Sequence, residues 1–239
     1  VKVADGVIAT SALLENTLNN ANTGLGADAF QRIIKEAKQA NIMFLIQQAN
    51  LRASELNKGD MKAFKKDISD VYAAENKKIT NLEVSAYASP DGGVKLNTGL
   101  AENREDNTAK YLSRELKKAK VDLTMDAKYT AQDWDGFQEL VSKSNIQDKE
   151  LILRVLSMYK DPEQRENEIK NISSVYKTLA DEILPQLRRS RLTLNYEIIG
   201  KSDEEIAQLA ASNPSALNVE ELLYAATLTS DKAKQEDIY

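Results

Sequence analysis

The most informative stretch of the chain lies between Ile79 and Leu112, where a turn, a helix start and an arginine follow one another closely. An apolar run ends in the turn Ser89-Pro90-Asp91-Gly92-Gly93. A helical pattern follows that carries Asn97, Leu100 and Arg104 and closes on Tyr111 and Leu112. An arginine can grip a carboxylate through two parallel charge-assisted bonds, because its guanidinium is a planar fork. A helix start adds free backbone N–H groups and the positive end of the helix dipole. Each residue also has a plainer reading. Arg104 is then a solvated helix arginine paired with Glu102, Glu105 or Asp106. Asn97 is then a helix cap, a role asparagine favours. Pro90-Asp91-Gly92 is a turn signature whatever else it does.

Composition narrows the chemistry further. The chain has 239 residues, 42% apolar and 29% charged, an ordinary globular balance with room for a core. Its 32 Lys and Arg against 37 Asp and Glu give a net charge of −5, which argues against a general nucleic-acid surface. There is no histidine and no cysteine. Thiol catalysis and a disulfide framework are excluded, and the usual metal ligand and commonest general base are missing. No apolar run reaches the ~18 residues of a membrane helix. Beginning at Val1, without a Met start or a signal peptide, the sequence reads as a mature or excised piece.

Several elements must position the charged residues. Residues 1–10 read as a strand or extended lead, and 19–26 as an Asn- and Gly-rich loop. Phe30, Ile33, Ile34 and Ala37 share one helical face, predicting a helix over 28–39 capped by Asp28. Ile42 to Ile46 is a buried strand. Asp60 caps a helix through Tyr72 with Met61, Phe64 and Ile68 inward. Leu82, Val84 and Ala86 alternate as a strand. A helix over 97–118 ends in the basic cluster Lys117, Lys118, Lys120. Residues 121–129 form another strand, and Leu192, Leu194, Tyr196 and Ile198 alternate in a last one.

The stretch 79–112 resembles the OmpA-like, peptidoglycan-associating domain. That family's order is a strand, Tyr-Thr-Asp, a Gly-containing loop, Asn, Leu-Ser, Arg-Ala, and a helix ending in Tyr-Leu. Here Tyr87-Ala88-Ser89, Asn97, Leu100-Ala101, Arg104-Glu105 and Tyr111-Leu112 stand in that order without a gap. Leu187-Arg188-Arg189-Ser190-Arg191-Leu192 is similar to the family's closing Arg-Arg-Val strand. The resemblance implies an α+β fold: a βαβαβ-β mixed four-stranded sheet with helices on one face. It covers residues 41–130 and 186–200 and skips a helical insert at 131–185. It also implies a ligand, the diaminopimelate of a peptidoglycan stem peptide, whose amino-acid head carries a carboxylate and an ammonium. Arg104 matches the family's Arg, Asn97 its Asn, and Ser89 the Asp that binds the ammonium. Ser89 brings no charge, and Asp91 is the candidate substitute. Arg191 is the member of the arginine run aligned to help with the anion. With the motif, the two readings of Arg104 stand level.

The expected division is a lead segment and helix over 1–40, the OmpA-like domain over 41–200, and a helical hairpin over 201–239. Ser202 opens that hairpin with a capping box. The hairpin's Leu222-Leu223-Tyr224-Ala225-Ala226 pattern resembles the opening of a tetratricopeptide array. Asp161-Pro162-Glu163 starts an insert helix that runs from Pro162 to Leu184, and Trp134 anchors the insert core. The reading that follows is a non-catalytic envelope protein without cofactor or metal. It sits on the periplasmic face of the outer membrane, in the manner of a lipoprotein. It binds peptidoglycan and meets other envelope proteins through insert and repeat. The alternative keeps the fold, loses the peptidoglycan site and serves as an assembly module; an enzyme ranks third.

Overall fold

The computed structural model of the protein describes residues 25–238. The extended lead expected over 1–10, and most of the loop over 19–26, lie outside the described residues. The fold is α+β. Strands β1 (Ile33–Met43), β2 (Lys77–Tyr87), β3 (Asp126–Thr130) and β4 (Arg189–Ile199) form one sheet in the order β1-β4-β2-β3. β2 runs parallel to β3 and antiparallel to β4, so the sheet is mixed.

Alternation along the strands decides which residues meet the core. Leu82 and Val84 of β2 stand opposite Leu194 and Leu192 of β4, and all four are buried. Opposed apolar pairs of this kind are the unit of sheet stability. The odd-numbered neighbours Glu83, Ser85, Arg191 and Thr193 point to the other face. Two helices cover the apolar face. Helix α2 (Gly59–Ala73), preceded by the single turn α1 (Ala53–Leu56), buries Met61, Phe64, Ile68 and Val71 at helical spacing. Helix α3 (Val94–Lys118) adds Tyr111, Leu112 and Leu116 to the same core. Each such side chain contributes roughly 1.5–3 kcal/mol when buried. α3 stops in a left-handed turn at Lys120 (φ 57°), where Val121 N–H donates back to the Leu116 carbonyl. With Lys120 N–H donating to the Lys117 carbonyl, this is the Schellman helix stop, with lysine in the place glycine usually takes.

Several expectations need correction. The buried strand expected over 42–46 ends at Met43: Ile42 and Phe44 are buried, but Leu45 and Ile46 are exposed where the chain turns at Gln47. The helix predicted over 28–39 is strand β1 from Ile33 onward. Ile33 and Ile34, half of the supposed helical face, are exposed; burial comes instead from Ala40, Ile42 and Phe44 at period two. Asp28 caps no helix; it accepts from the Phe30 N–H in a local turn. The strand over 121–129 shrinks to Asp126–Thr130, since Val121 belongs to the stop of α3.

The insert is helical: α4 (Trp134–Lys143), α5 (Lys149–Met158), α6 (Pro162–Asn171), α7 (Ser173–Thr178), a π-helical turn (Leu179–Ile183) and α8 (Leu184–Leu187). It has a core of its own, including Phe137, Val141, Ile152, Leu179 and Leu187. Trp134 packs against that core edge-on to Phe137. The continuous helix expected over 162–184 is broken at Ile172, and the π-helical turn precedes Pro185, whose nitrogen has no hydrogen to donate.

Residues 34–199 form one compact unit, and the described parts of 1–33 and 200–239 form another. The second unit holds α9 (Asp203–Ser212), α10 (Val219–Thr227) and α11 (Lys232–Ile238). Ser202 makes the expected capping box with Glu205, and Asn218 makes a second with Glu221. Phe30 stacks on Tyr224 at 4.2 Å, and Arg32 pairs with Asp203. Among the described residues no helix is long and apolar enough to cross a membrane.

Candidate ligand-binding site

The site is built on the turn between β2 and α3. β2 delivers the chain at Tyr87, and the turn is held from several sides. Asn97 Nδ2 donates to the carbonyls of Ser89 and Gly92, both at 2.9 Å. The helix begins earlier than its sequence pattern suggests, at Val94 with Gly93 as cap, so Asn97 braces the turn from inside the first helical turn. The brace is close: a Cβ on Gly92 would fall 2.9 Å from Asn97 Oδ1. Gln132 at the start of the insert donates to the Gly92 carbonyl at 2.8 Å. Asp133 N–H donates to the Ala88 carbonyl at 3.1 Å.

Arg104 is fully buried and has no carboxylate in salt-bridge contact among the described residues. Glu102, Glu105 and Asp106 do not pair with it. Its guanidinium instead donates from Nε to the Gln48 carbonyl at 2.9 Å, from Nη1 to Tyr87 at 2.7 Å and from Nη2 to Leu45 at 3.3 Å. It lies over the Phe44 ring at 4.9 Å. A guanidinium has five N–H groups, so these three bonds leave two unused. Burial pushes its pKa down to about 10, helped by the like charge of Arg188 and opposed by Asp91. It therefore stays charged at neutral pH, and its charge is only partly balanced.

Ser89 and Asp91 act together. Ser89 Oγ donates to Asp91 Oδ1, which brings the Asp91 carboxylate to the position where Ser89 lacks one. Arg188 completes a ring: its Nη2 lies 3.3 Å from Asp91 Oδ2, and its Nε donates to Ser89 Oγ at 3.3 Å. Ser89, Asp91, Asn97, Arg104 and Arg188 all line one cavity of about 80 Å³, together with Gln47 and the apolar Ile46, Leu96 and Leu100. A water needs roughly 10–15 Å³, so the space has room for more than a single water. Gln47 adopts a left-handed φ of 54° in the segment that Arg104 ties down.

Arg191 is not at this cavity. Strand parity explains its place: Arg191 stands opposite Ser85 on the far face of the sheet, where it lies 5.9 Å from the Tyr87 ring centre, its buried Nε without a hydrogen-bond partner among the described residues. Arg188 precedes β4 and is free of that alternation. Sequence reasoning named the arginine run but not this member of it. It also missed Arg189, which lies 4.7 Å over Tyr87 and 2.9 Å from Asp133 Oδ2, an ion contact without hydrogen-bond alignment. Asp133 is distant in sequence and gave no signal beyond its place before a helix, where it caps α4 through Gly136 N–H at 2.9 Å.

No known family model matches the chain, and no curated protein matches it.

Proposed function

We propose that the chain is a non-catalytic, OmpA-like cell-envelope protein whose cavity at Arg104 holds the amino-acid head of a diaminopimelate-type peptidoglycan stem peptide. The observation that carries this reading is the convergence of Ser89, Asp91, Asn97, Arg104 and Arg188 on one small cavity. Two guanidiniums and one carboxylate leave a surplus positive charge there. A ligand carboxylate answers it, accepting from the spare N–H groups of Arg104 and from Arg188. A single charge-assisted contact of this kind contributes about 2 kcal/mol. Asp91, drawn in by Ser89, stands as the partner for the ligand's ammonium. The element order β-α-β-α-β-insert-β, with α2 and α3 on one face of the sheet, agrees with the fold the resemblance implies. In this reading the protein works on the periplasmic side of the outer membrane, tethering or organising cell wall. The 201–239 segment begins a tetratricopeptide-like array that meets other envelope proteins.

A second reading has a specific observation behind it. Arg104 is already committed to three backbone carbonyls and Arg188 to Asp91, so the same residues also serve as an internal lock. In that case the domain is an assembly module acting through insert and helical unit. Co-sedimentation with insoluble peptidoglycan separates the two. Binding expects wild type to pellet with the wall, Arg104→Gln to stay in solution and Ser89→Asp to pellet more strongly. Equal behaviour of all three favours the assembly module.

A further inference from the structure

The carboxylate meant for the ligand's ammonium is not free. Asp91 Oδ1 accepts from Ser89 Oγ, and Asp91 Oδ2 is paired with Arg188 Nη2 at 3.3 Å. Arg188 side-chain exposure is 11% and that of Asp91 17%, so the pair is largely shielded from solvent and from screening salt. Arg104, in the same cavity, has no such partner among the described residues and is repelled by Arg188. We infer that Arg188 is a specificity residue that occupies the ammonium's place on Asp91 in the free protein, so that the ligand's charges are read by an exchange of partners. The inference rests on the reading of the cavity as a site for an amino-acid head.

The exchange conserves charge at every step. An incoming zwitterion brings one ammonium and one carboxylate. The ammonium takes Asp91 from Arg188, and the released guanidinium turns to the ligand carboxylate beside Arg104. One internal ion pair is lost and three protein–ligand charge contacts form: the ammonium on Asp91, and the carboxylate on Arg188 and on Arg104. No proton moves and no bond is made or broken. The consequence is an uneven reading of the ligand. The carboxylate meets two cations, one of them unpaired beforehand, and its gain is large. The ammonium must first displace a guanidinium, and its net gain is small. A ligand lacking the ammonium can leave the Arg188–Asp91 pair intact and still bind Arg104.

The test uses the full chain and calorimetric titration of three peptides. The first is a stem peptide ending in diaminopimelate, the second has its distal amino group replaced by hydrogen, and the third has its distal carboxylate amidated. For wild type, removing the ammonium is expected to weaken binding by no more than about threefold, and amidating the carboxylate by about thirtyfold or more. In Arg188→Gln, Asp91 is released, and loss of the ammonium should then weaken binding by about tenfold or more. Asp91→Asn in the Arg188 background should change the ammonium penalty little. That variant, together with the wild-type ratio, decides the matter if Arg188→Gln fails to fold. An ammonium penalty that is already large in wild type and vanishes in Asp91→Asn overturns the exchange, as does a penalty equal in wild type and Arg188→Gln. Failure of every protein to bind any of the peptides at millimolar concentration overturns the site itself, and the exchange with it.

Discussion

Arg104 and Arg189 approach the turn after Tyr87 from two sides, one from helix α3 and the other from strand β4. Both are nearly or fully buried, and both lie over an aromatic ring, Phe44 at 4.9 Å and Tyr87 at 4.7 Å. They differ in what balances their charge. Arg189 has Asp133, itself buried, 2.9 Å away. Among the described residues, Arg104 has only carbonyl dipoles and the more distant Asp91. A buried pair is neutral inside the fold and asks nothing of a ligand. A buried cation held by dipoles keeps a demand for a negative charge, and here it borders a cavity. Burial is common to both arginines; the identity of the counter-charge is what separates them.

The largest expected effect falls on the neutralised side. Asp133→Ala leaves Arg189 buried and unpaired and removes the cap of α4, which should cost about 3–5 kcal/mol in urea unfolding. Replacing both partners, Asp133→Leu with Arg189→Met, should recover most of that loss, because an apolar pair pays no desolvation penalty. A double variant as unstable as the single one would mean that Asp133 acts through the cap alone. Arg104→Gln is expected to cost less, about 2 kcal/mol. Three carbonyls lose a donor, but an uncompensated charge also leaves the interior. The same variant should lose at least about tenfold in stem-peptide affinity, and unchanged affinity would place Arg104 with the structural arginines.

Gly136→Ala tests how tightly the neutral pair is packed. Its new Cβ would stand 2.4 Å from Asp133 Oδ2, so the carboxylate has to move. The gain in helix propensity partly offsets the clash, leaving a net loss of about 1 kcal/mol by thermal unfolding. A stabilised variant would show that Asp133 tolerates displacement. The smallest effect is expected for Tyr87→Leu. It removes the ring beneath Arg189 but keeps the carbonyl that Arg104 uses, and should cost about 0.5–1 kcal/mol with unchanged affinity. A change in affinity there would tie the two corners together.

The parts of this architecture that were legible beforehand follow from periodicity. Leu82, Val84 and Ala86, and Leu192, Leu194 and Tyr196, alternate cleanly; Met61, Phe64 and Ile68 repeat at helical spacing, and all are buried as those patterns require. β1 was legible only at its end, where Ile42 opens the apolar run; its start was not, because four apolar residues at 30, 33, 34 and 37 fit a helix by chance. Its true core face, Ala40, Ile42 and Phe44, lies at the far end of the strand. Within the site, Ser89, Asp91, Asn97 and Arg104 meet at one cavity, as one contiguous motif can. Arg188 and Arg191 differ by three residues and end on different sides of the sheet, a matter of strand parity and of where β4 begins. The Asp133–Arg189 pair joins positions far apart in the chain, and only the fold brings them together.

The most direct test of the distinction is nuclear magnetic resonance of the arginine Nε–H groups during titration with a diaminopimelate stem peptide. The account predicts that the Arg104 and Arg188 signals shift with the ligand and saturate together, while Arg189 stays in place. It also predicts that amidating the distal carboxylate abolishes the shifts. Movement of Arg189 with Arg104 silent, or equal shifts with the amidated peptide, would contradict the claim that the unpaired guanidinium at Arg104 is the anion site.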